Sequence, residues 1–279
     1  HVEAIQLYKK LLASGQLNSD FRLILGDEIY LVPDLHDIRD NYNNQLHYYY
    51  HFIVLAKDAI GYELLKEISS TAWSNSYKQG RTERVPIDFK QIQKIIGENK
   101  GHLIGSTACL GGMLPKLIIK LAKAEKECGE RSNEVMKIKY DIDNFIHFCI
   151  DLFGKDDFYL EVQPSNTIEQ RVVNRRMKSI ASFYGLKIIF TTDAHFLREE
   201  DRFIHKSYLT SKEGEREVDD FYATAYMMDQ ESIYNYLKDD YTIEEFGAMC
   251  DNTNAIAAKC SFYELSQQQE IPEIDTRER

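Results

Sequence analysis

Phe158-Tyr159-Leu160-Glu161-Val162, the run Ile168 to Tyr184, and Leu186-Lys187-Ile188-Ile189-Phe190-Thr191-Thr192 together decide the fold. Two short β-rich runs flank one long helical run, and Ile188-Ile189-Phe190 is apolar on both faces. Such a strand suits a sheet buried on two sides. The alternation continues outward. β-rich runs stand at 21–25 continuing through 29–32, at 51–56 and at 102–106, with helical stretches at 62–71, 88–96, 114–126 and 133–153. Strand, helix, strand, helix predicts an α/β fold with a mostly parallel sheet, as a barrel or a wound sheet. Beyond Arg198 the strands thin out, and helices are expected around 200–209, 231–237 and 243–259.

The ends and loops read differently. His1 to Leu12 is an amphipathic helix with Ile5, Tyr8, Leu11 and Leu12 at helical spacing. A chain that opens inside an uncapped helix points to a segment upstream. The asparagine-rich run 33–50, with His36 and His47, and the run 74–86 read as exposed loops. Residues 267–279, polar with Pro272, read as a linker. The domain division expected is 1–198 for the α/β part, 199–266 for a helical part and 267–279 for the linker.

Composition narrows the classes. The 279 residues carry 45 acidic and 34 basic side chains, a formal charge of −11, with 43% hydrophobic residues. That is ordinary globular composition. No apolar run approaches the ~20 residues of a membrane span, so no membrane partner is expected. The acidic balance argues against bulk electrostatic coating of duplex DNA and leaves room for a local basic face. Cys109, Cys128, Cys149, Cys250 and Cys260 form no Cys-x-x-Cys pair and are odd in number. A reducing, cytoplasmic setting is therefore expected rather than a disulfide framework.

In α/β sheets, ligands gather beyond the carboxyl ends of the strands. Glu28 falls at or just inside a strand, and His51 opens another. Cys109 lies in the glycine-rich turn Ser106 to Gly112, and Asp193 and His195 follow Ile188 to Phe190. If that last segment is extended, side chains two apart point the same way, so Asp193 and His195 reach one ion together. These five form a mixed oxygen, nitrogen and sulfur donor set. Zinc accepts all three, while manganese or iron prefers the oxygen and nitrogen part. Such ions bind phosphoryl oxygens and activate water. Plainer readings stand beside these: Glu28 as a solvated acid, Cys109 as a small buried hydrophobe, His205 as structural, and His36 and His47 as solvent-exposed. Gly111-Gly112 lacks the lysine and spacing of a phosphate loop. Arg171, Arg175, Arg176 and Lys178 read as a solvated helix face.

Several segments in register resemble one family. Gly26-Asp27-Glu28-Ile29-Tyr30, Tyr50 to Asp58, Gly61 to Leu65 and Ser106 to Pro115 are similar to the polymerase and histidinol phosphatase (PHP) domain of bacterial DNA polymerase III α subunits. The likeness continues in Phe158 to Gln163, Glu169-Gln170 with Val173-Asn174, Thr192 to Leu197, Phe221-Tyr222 and Asp251 to Ala257 with Cys260. The resemblance implies a distorted (β/α)7 barrel, incomplete at the N-terminus because the family's opening His-x-His strand and a later histidine are not in this sequence. It implies that Glu28, His51, Cys109, Asp193 and His195 are metal positions for Zn2+ or Mn2+, with Asp193 and His195 closest to catalysis. It also implies a part in DNA replication within a DNA-directed DNA polymerase, a nucleotidyltransferase that uses Mg2+ in its polymerase core. The part itself would be at most a metal-dependent 3′–5′ exonuclease, inactive without the missing ligands. Implied partners are a DNA 3′ terminus, the polymerase core of the same polypeptide, a sliding clamp and a proofreading exonuclease subunit. Two rivals follow: a silent scaffold that braces the polymerase, and a free-standing phosphoesterase such as histidinol phosphatase.

Overall fold

The computed structural model describes residues 1–18, 20–36, 49–79, 82–211, 220–261 and 263. His47, the asparagines at 41, 43 and 44, Gly80, Arg81 and the linker 267–279 lie outside the described residues.

The fold is mixed α/β. After helix α1 (Val2–Ala13) come β1 (Gly26–Val32), β2 (Tyr50–Ala56), α2 (Ala59–Ser74), the hairpin β3 (Tyr77–Gln79) and β4 (Thr82–Arg84), β5 (Pro86–Asp88) and α3 (Phe89–Ile96). Then follow β6 (Leu103–Ser106), α4 (Met113–Cys128), α5 (Asn133–Phe153), β7 (Phe158–Val162), α6 (Ile168–Tyr184) and β8 (Lys187–Phe190). Helices α7 (Arg202–Ser211), α8 (Gln230–Leu237) and α9 (Ile243–Lys259) complete the described chain, with short 3-10 turns between. The main sheet has six strands in the order β5-β1-β2-β6-β7-β8.

The sheet is mostly parallel, as expected: β1–β5, β6–β7 and β7–β8 are parallel, and β2 runs antiparallel to both β1 and β6. Two expectations are corrected. Residues 21–25 form no strand, although the Leu25 carbonyl accepts from the Ala56 amide at 2.8 Å, and the strand starts at Gly26. The presumed loop 74–86 holds the hairpin β3–β4 and runs into β5. The long amphipathic helices fall where the sequence puts them, α5 and α6 to the residue.

The sheet buries both faces, unequally. Phe52, Val54, Leu103, Phe158, Leu160 and Val162 point to the helices α2–α6 and build the main core. On the other face Ile104, Tyr159 and Ile189 pack against Ile256 and Cys260 of the final helical segment, with Leu55 beside them. Period-two alternation thus divides each strand between a thick apolar layer and a shallower face that is free to carry polar groups.

Asp58 shows how an element is pinned. Its carboxylate accepts from the Gly61 amide at 2.9 Å, capping α2, and lies 2.7 Å from His102 Nδ1. Burial pushes its pKa up, but the Gly61 amide and His102 outweigh that and hold it below 3.8. A carboxyl depressed in the folded state stabilises above its unfolded pKa and loses that contribution as pH falls through the folded value. Asp58→Ala is expected to cost about 1 kcal/mol at pH 7. In urea titrations the two proteins converge once the pH drops below the folded-state pKa.

Candidate metal centre

The site stands on the shallower face, and the reversed strand explains how it assembles. Cys109 follows β6 and Asp193 follows β8, both beyond carboxyl ends. Because β2 is antiparallel to β6, its amino end lies at that same rim, which is why His51 arrives at the start of a strand. Glu28 faces Ile53 across β1–β2, so His51, two residues earlier than Ile53, is its diagonal neighbour on one face. Its Oε1 stands 2.5 Å from His51 Nδ1.

The turn after β6 closes in on the imidazole. Cys109 Sγ lies 3.4 Å from His51 Nδ1 and accepts from the Gly111 amide at 3.4 Å. The His51 amide donates to the Gly111 carbonyl at 3.0 Å. A Cβ at Gly111 would stand 2.9 Å from the ring atoms Cγ and Nδ1 of His51, and one at Gly112 would stand 2.1 Å from the Thr107 carbonyl. The two glycines are therefore required by close approach. Donor atoms of Glu28, His51 and Cys109 all lie within 4.8 Å of one another.

Asp193 joins these residues by a different route from the one the spacing suggested. Its φ is +47°, so the Asp193 segment is not extended and the two-apart argument fails. The sheet ends at Phe190, and the chain turns sharply through a left-handed residue. The Asp193 carboxylate still lines the pocket of about 390 Å³ that Glu28, Cys109, Glu161 and Thr191 border. His195 is not among the residues bordering that pocket, and its side chain is 37% exposed. Its Nδ1 donates to the Asp193 carbonyl at 2.6 Å, which leaves Nε2 with the free lone pair. Non-glycine residues with positive φ are uncommon. Ala108 (φ +57°) and Asp193 both line the pocket, which is where such strain concentrates.

The electrostatics belong to crowded anions. The hydrogen bond from His51 holds the Glu28 carboxyl below its ordinary range against burial, with the charges of His51 and His195 adding to it. Burial raises Asp193, and Glu28 pushes it the same way while His195, the Cys109 thiol and His51 pull it down. Burial, then the charges of Asp193, Glu28 and Glu161, push the Cys109 thiol up to about 12. A cation reverses such a balance, since coordinated thiols deprotonate. Carboxylate, imidazole and sulfur donors within 4.8 Å of one another are the donor types that fit a divalent ion of the zinc or manganese kind.

Other candidates resolve plainly. Arg171, Arg175, Arg176 and Lys178 lie on a solvated helix face, as expected, and each is paired there. They pair with Asp239, Asp240, Glu125 and Glu245, tying α6 to α4 and to the helices that follow. His36 is exposed. His205 sits on α7 with its ring 5.4 Å from that of His195 and 4.9 Å from that of Tyr222. The residue the sequence reading passed over is Glu161, a carboxylate in a strand whose five residues are all buried. An acid inside an otherwise apolar run was its signal.

The chain belongs to the PHP domain family, whose model matches residues 2–165. It is 39% identical to the probable DNA polymerase YorL of Bacillus subtilis over 99% of its own length and 21% of that protein. The DNA-directed DNA polymerase of Bacillus phage SPbeta matches to the same extent. The DNA polymerase III subunit alpha of Aquifex aeolicus is 34% identical over 72% of this chain and 15% of its own length. The chain thus spans about a fifth of the length of the first relatives it matches. No helix among the described residues is long and apolar enough to cross a membrane.

Proposed function

We propose that this chain is the PHP domain of a cytoplasmic replicative DNA polymerase and that its pocket hydrolyses the terminal phosphodiester at a DNA 3′ end. The reading rests most on the convergence of Glu28, His51 and Cys109 from three separate segments onto one point beside Asp193. The six-stranded sheet, with helices on its thick side and the pocket on the other, is read as the wall of a distorted (β/α)7 barrel. In this reading the barrel domain runs to residue 198, the helical part to 266, and 267–279 lead to the polymerase core.

Glu28 and Asp193 carry the negative charge that anchors divalent ions, His51 and His195 complete their coordination through nitrogen, and Cys109 biases one position toward zinc. Zn2+ or Mn2+ bound there supplies Lewis acidity toward phosphoryl oxygens and lowers the pKa of water. The chain's own part is positioning. The backbone carbonyl of Asp193 fixes the His195 tautomer, and Ile53, Leu55, Ile104, Ile189 and Ile256 give the pocket an apolar lining. A sliding clamp and a proofreading subunit remain partners of the whole assembly in this proposal, and the polymerase core takes Mg2+.

The test uses the full polypeptide carrying this chain. Elemental analysis is expected to find zinc or manganese, and 3′-labelled single-stranded DNA is expected to lose its terminal nucleotide. Asp193→Asn should lower that release by more than about 100-fold, beyond the range that outer-shell substitutions cost. Metal without nucleotide release would reassign the domain to bracing the polymerase and docking a proofreading partner. Turnover of histidinol phosphate in place of DNA would reassign it to the small-molecule phosphoesterases.

A further inference from the structure

Glu161 is the one acid of the pocket that the donor set above does not use. It is 5% exposed, in the middle of the sheet. Its Oε2 accepts from Ser106 Oγ at 2.5 Å, and its Oε1 accepts from Gln163 Nε2 at 3.0 Å and from the Thr191 hydroxyl. Its amide donates to Thr107 Oγ1 at 2.9 Å. Every one of these side-chain partners is neutral, and among the described residues no lysine, arginine or histidine pairs with it. An unpaired buried charge is costly, and neutral donors offset only part of that cost. Burial accordingly pushes the Glu161 carboxyl above its ordinary range; its three hydrogen bonds oppose this, and the charge of Asp193 adds to it.

The hydrogen bonds have a direction. Ser106 ends β6 just before the Cys109 turn, and Thr191 follows β8 two residues before Asp193. One carboxylate therefore ties together the strand ends that carry the thiol and the second carboxylate. Resting on the reading that this pocket takes divalent ions, we infer that Glu161 is a positioning residue of the centre: an outer-shell carboxylate that aims the Cys109 and Asp193 turns and supplies the counter-charge for ions bound in front of it. The protein tolerates an unpaired charge here because the cation is its partner.

A purely structural carboxylate and this one respond oppositely to Glu161→Gln. The amide keeps the volume, its oxygen still accepts from Gln163 and Thr191, and its nitrogen donates to a rotated Ser106 hydroxyl. In metal-free protein the buried charge is gone, so the thermal midpoint is expected to rise by about 2–4 °C. In a Mn2+ titration of the same protein, the dissociation constant is expected to rise by about 10- to 100-fold. Glu161→Ala, which also releases Thr191 and Ser106, should lower the metal-free midpoint and weaken Mn2+ binding too. Wild type that takes up Mn2+ with Glu161→Gln matching it in affinity would overturn this inference and leave the metal reading standing. Wild type that takes up no Mn2+ or Zn2+ would overturn both, so the two failures are told apart by the wild-type titration.

Discussion

Phe52→Ala is expected to destabilise the domain by about 3–5 kcal/mol, the range for removing a large aromatic from a close-packed core. Phe52 is 2% exposed on β2, with ring centroids 5.7 Å from Phe153, 6.4 Å from Phe158 and 6.3 Å from Phe145. The surrounding elements are two strands and one long helix, whose backbones collapse poorly into a void. His51 precedes it and faces the opposite side of the sheet, so the substitution changes no group of the candidate metal centre directly. A urea titration should show a lower midpoint with an unchanged slope. Phe52→Leu, which refills most of the space, should recover more than half the loss.

The same alternation explains what the sequence disclosed and what it hid. Long helices such as α5 and α6 were legible to the residue because their apolar faces repeat with helical period over several turns. The strands were legible as runs, but their directions were not: Tyr50–Ala56 reads identically whichever way it pairs, and in the fold it runs against both of its neighbours. The hairpin at Tyr77–Gln79 and Thr82–Arg84 was hidden because its residues are mostly polar, which resembles a loop. Phe21–Leu25 misled in the other direction, being mostly apolar without forming a strand.

At the centre, donor types in Glu28, His51 and Cys109 were readable, and their meeting point was not, since it depends on a diagonal register and a glycine turn. Asp193 lines the same pocket through a left-handed turn that spacing alone does not reveal. Glu161 was passed over because one letter in an apolar run carries no partner information.

At the end of the sheet away from the candidate metal centre, Asp157→Ala is expected to cost about 3 kcal/mol. Asp157 precedes β7, and its carboxylate meets Lys57 Nζ at 2.7 Å and Lys259 Nζ at 2.8 Å. Lys57 follows β2, Lys259 ends α9, and Lys259 also donates to the Tyr159 hydroxyl at 3.0 Å. Thus one acid fastens the final helix to two strands. Burial lowers the Lys259 pKa, but Asp157 and Tyr159 more than reverse it, so the net value is raised. Such a raised cation stabilises below its unfolded pKa of about 10.5 and loses that contribution as pH climbs through the folded value. Removing the carboxylate leaves Lys57 without its ion-pair partner and Lys259 with only the Tyr159 hydroxyl and the Asp156 carbonyl, and breaking a buried ion pair from one side costs about 3–5 kcal/mol. The low end applies because side chains of Lys57 and Lys259 keep 19% and 26% of their exposure. Replacing both lysines by methionine in the Asp157→Ala background should restore much of the loss, because the penalty lies in the unpaired charges. Since Ile256 of α9 lines the pocket, a loosened final helix should also open its apolar lining. Mn2+ affinity, measured below the unfolding transition, should fall in Asp157→Ala and return with the methionines.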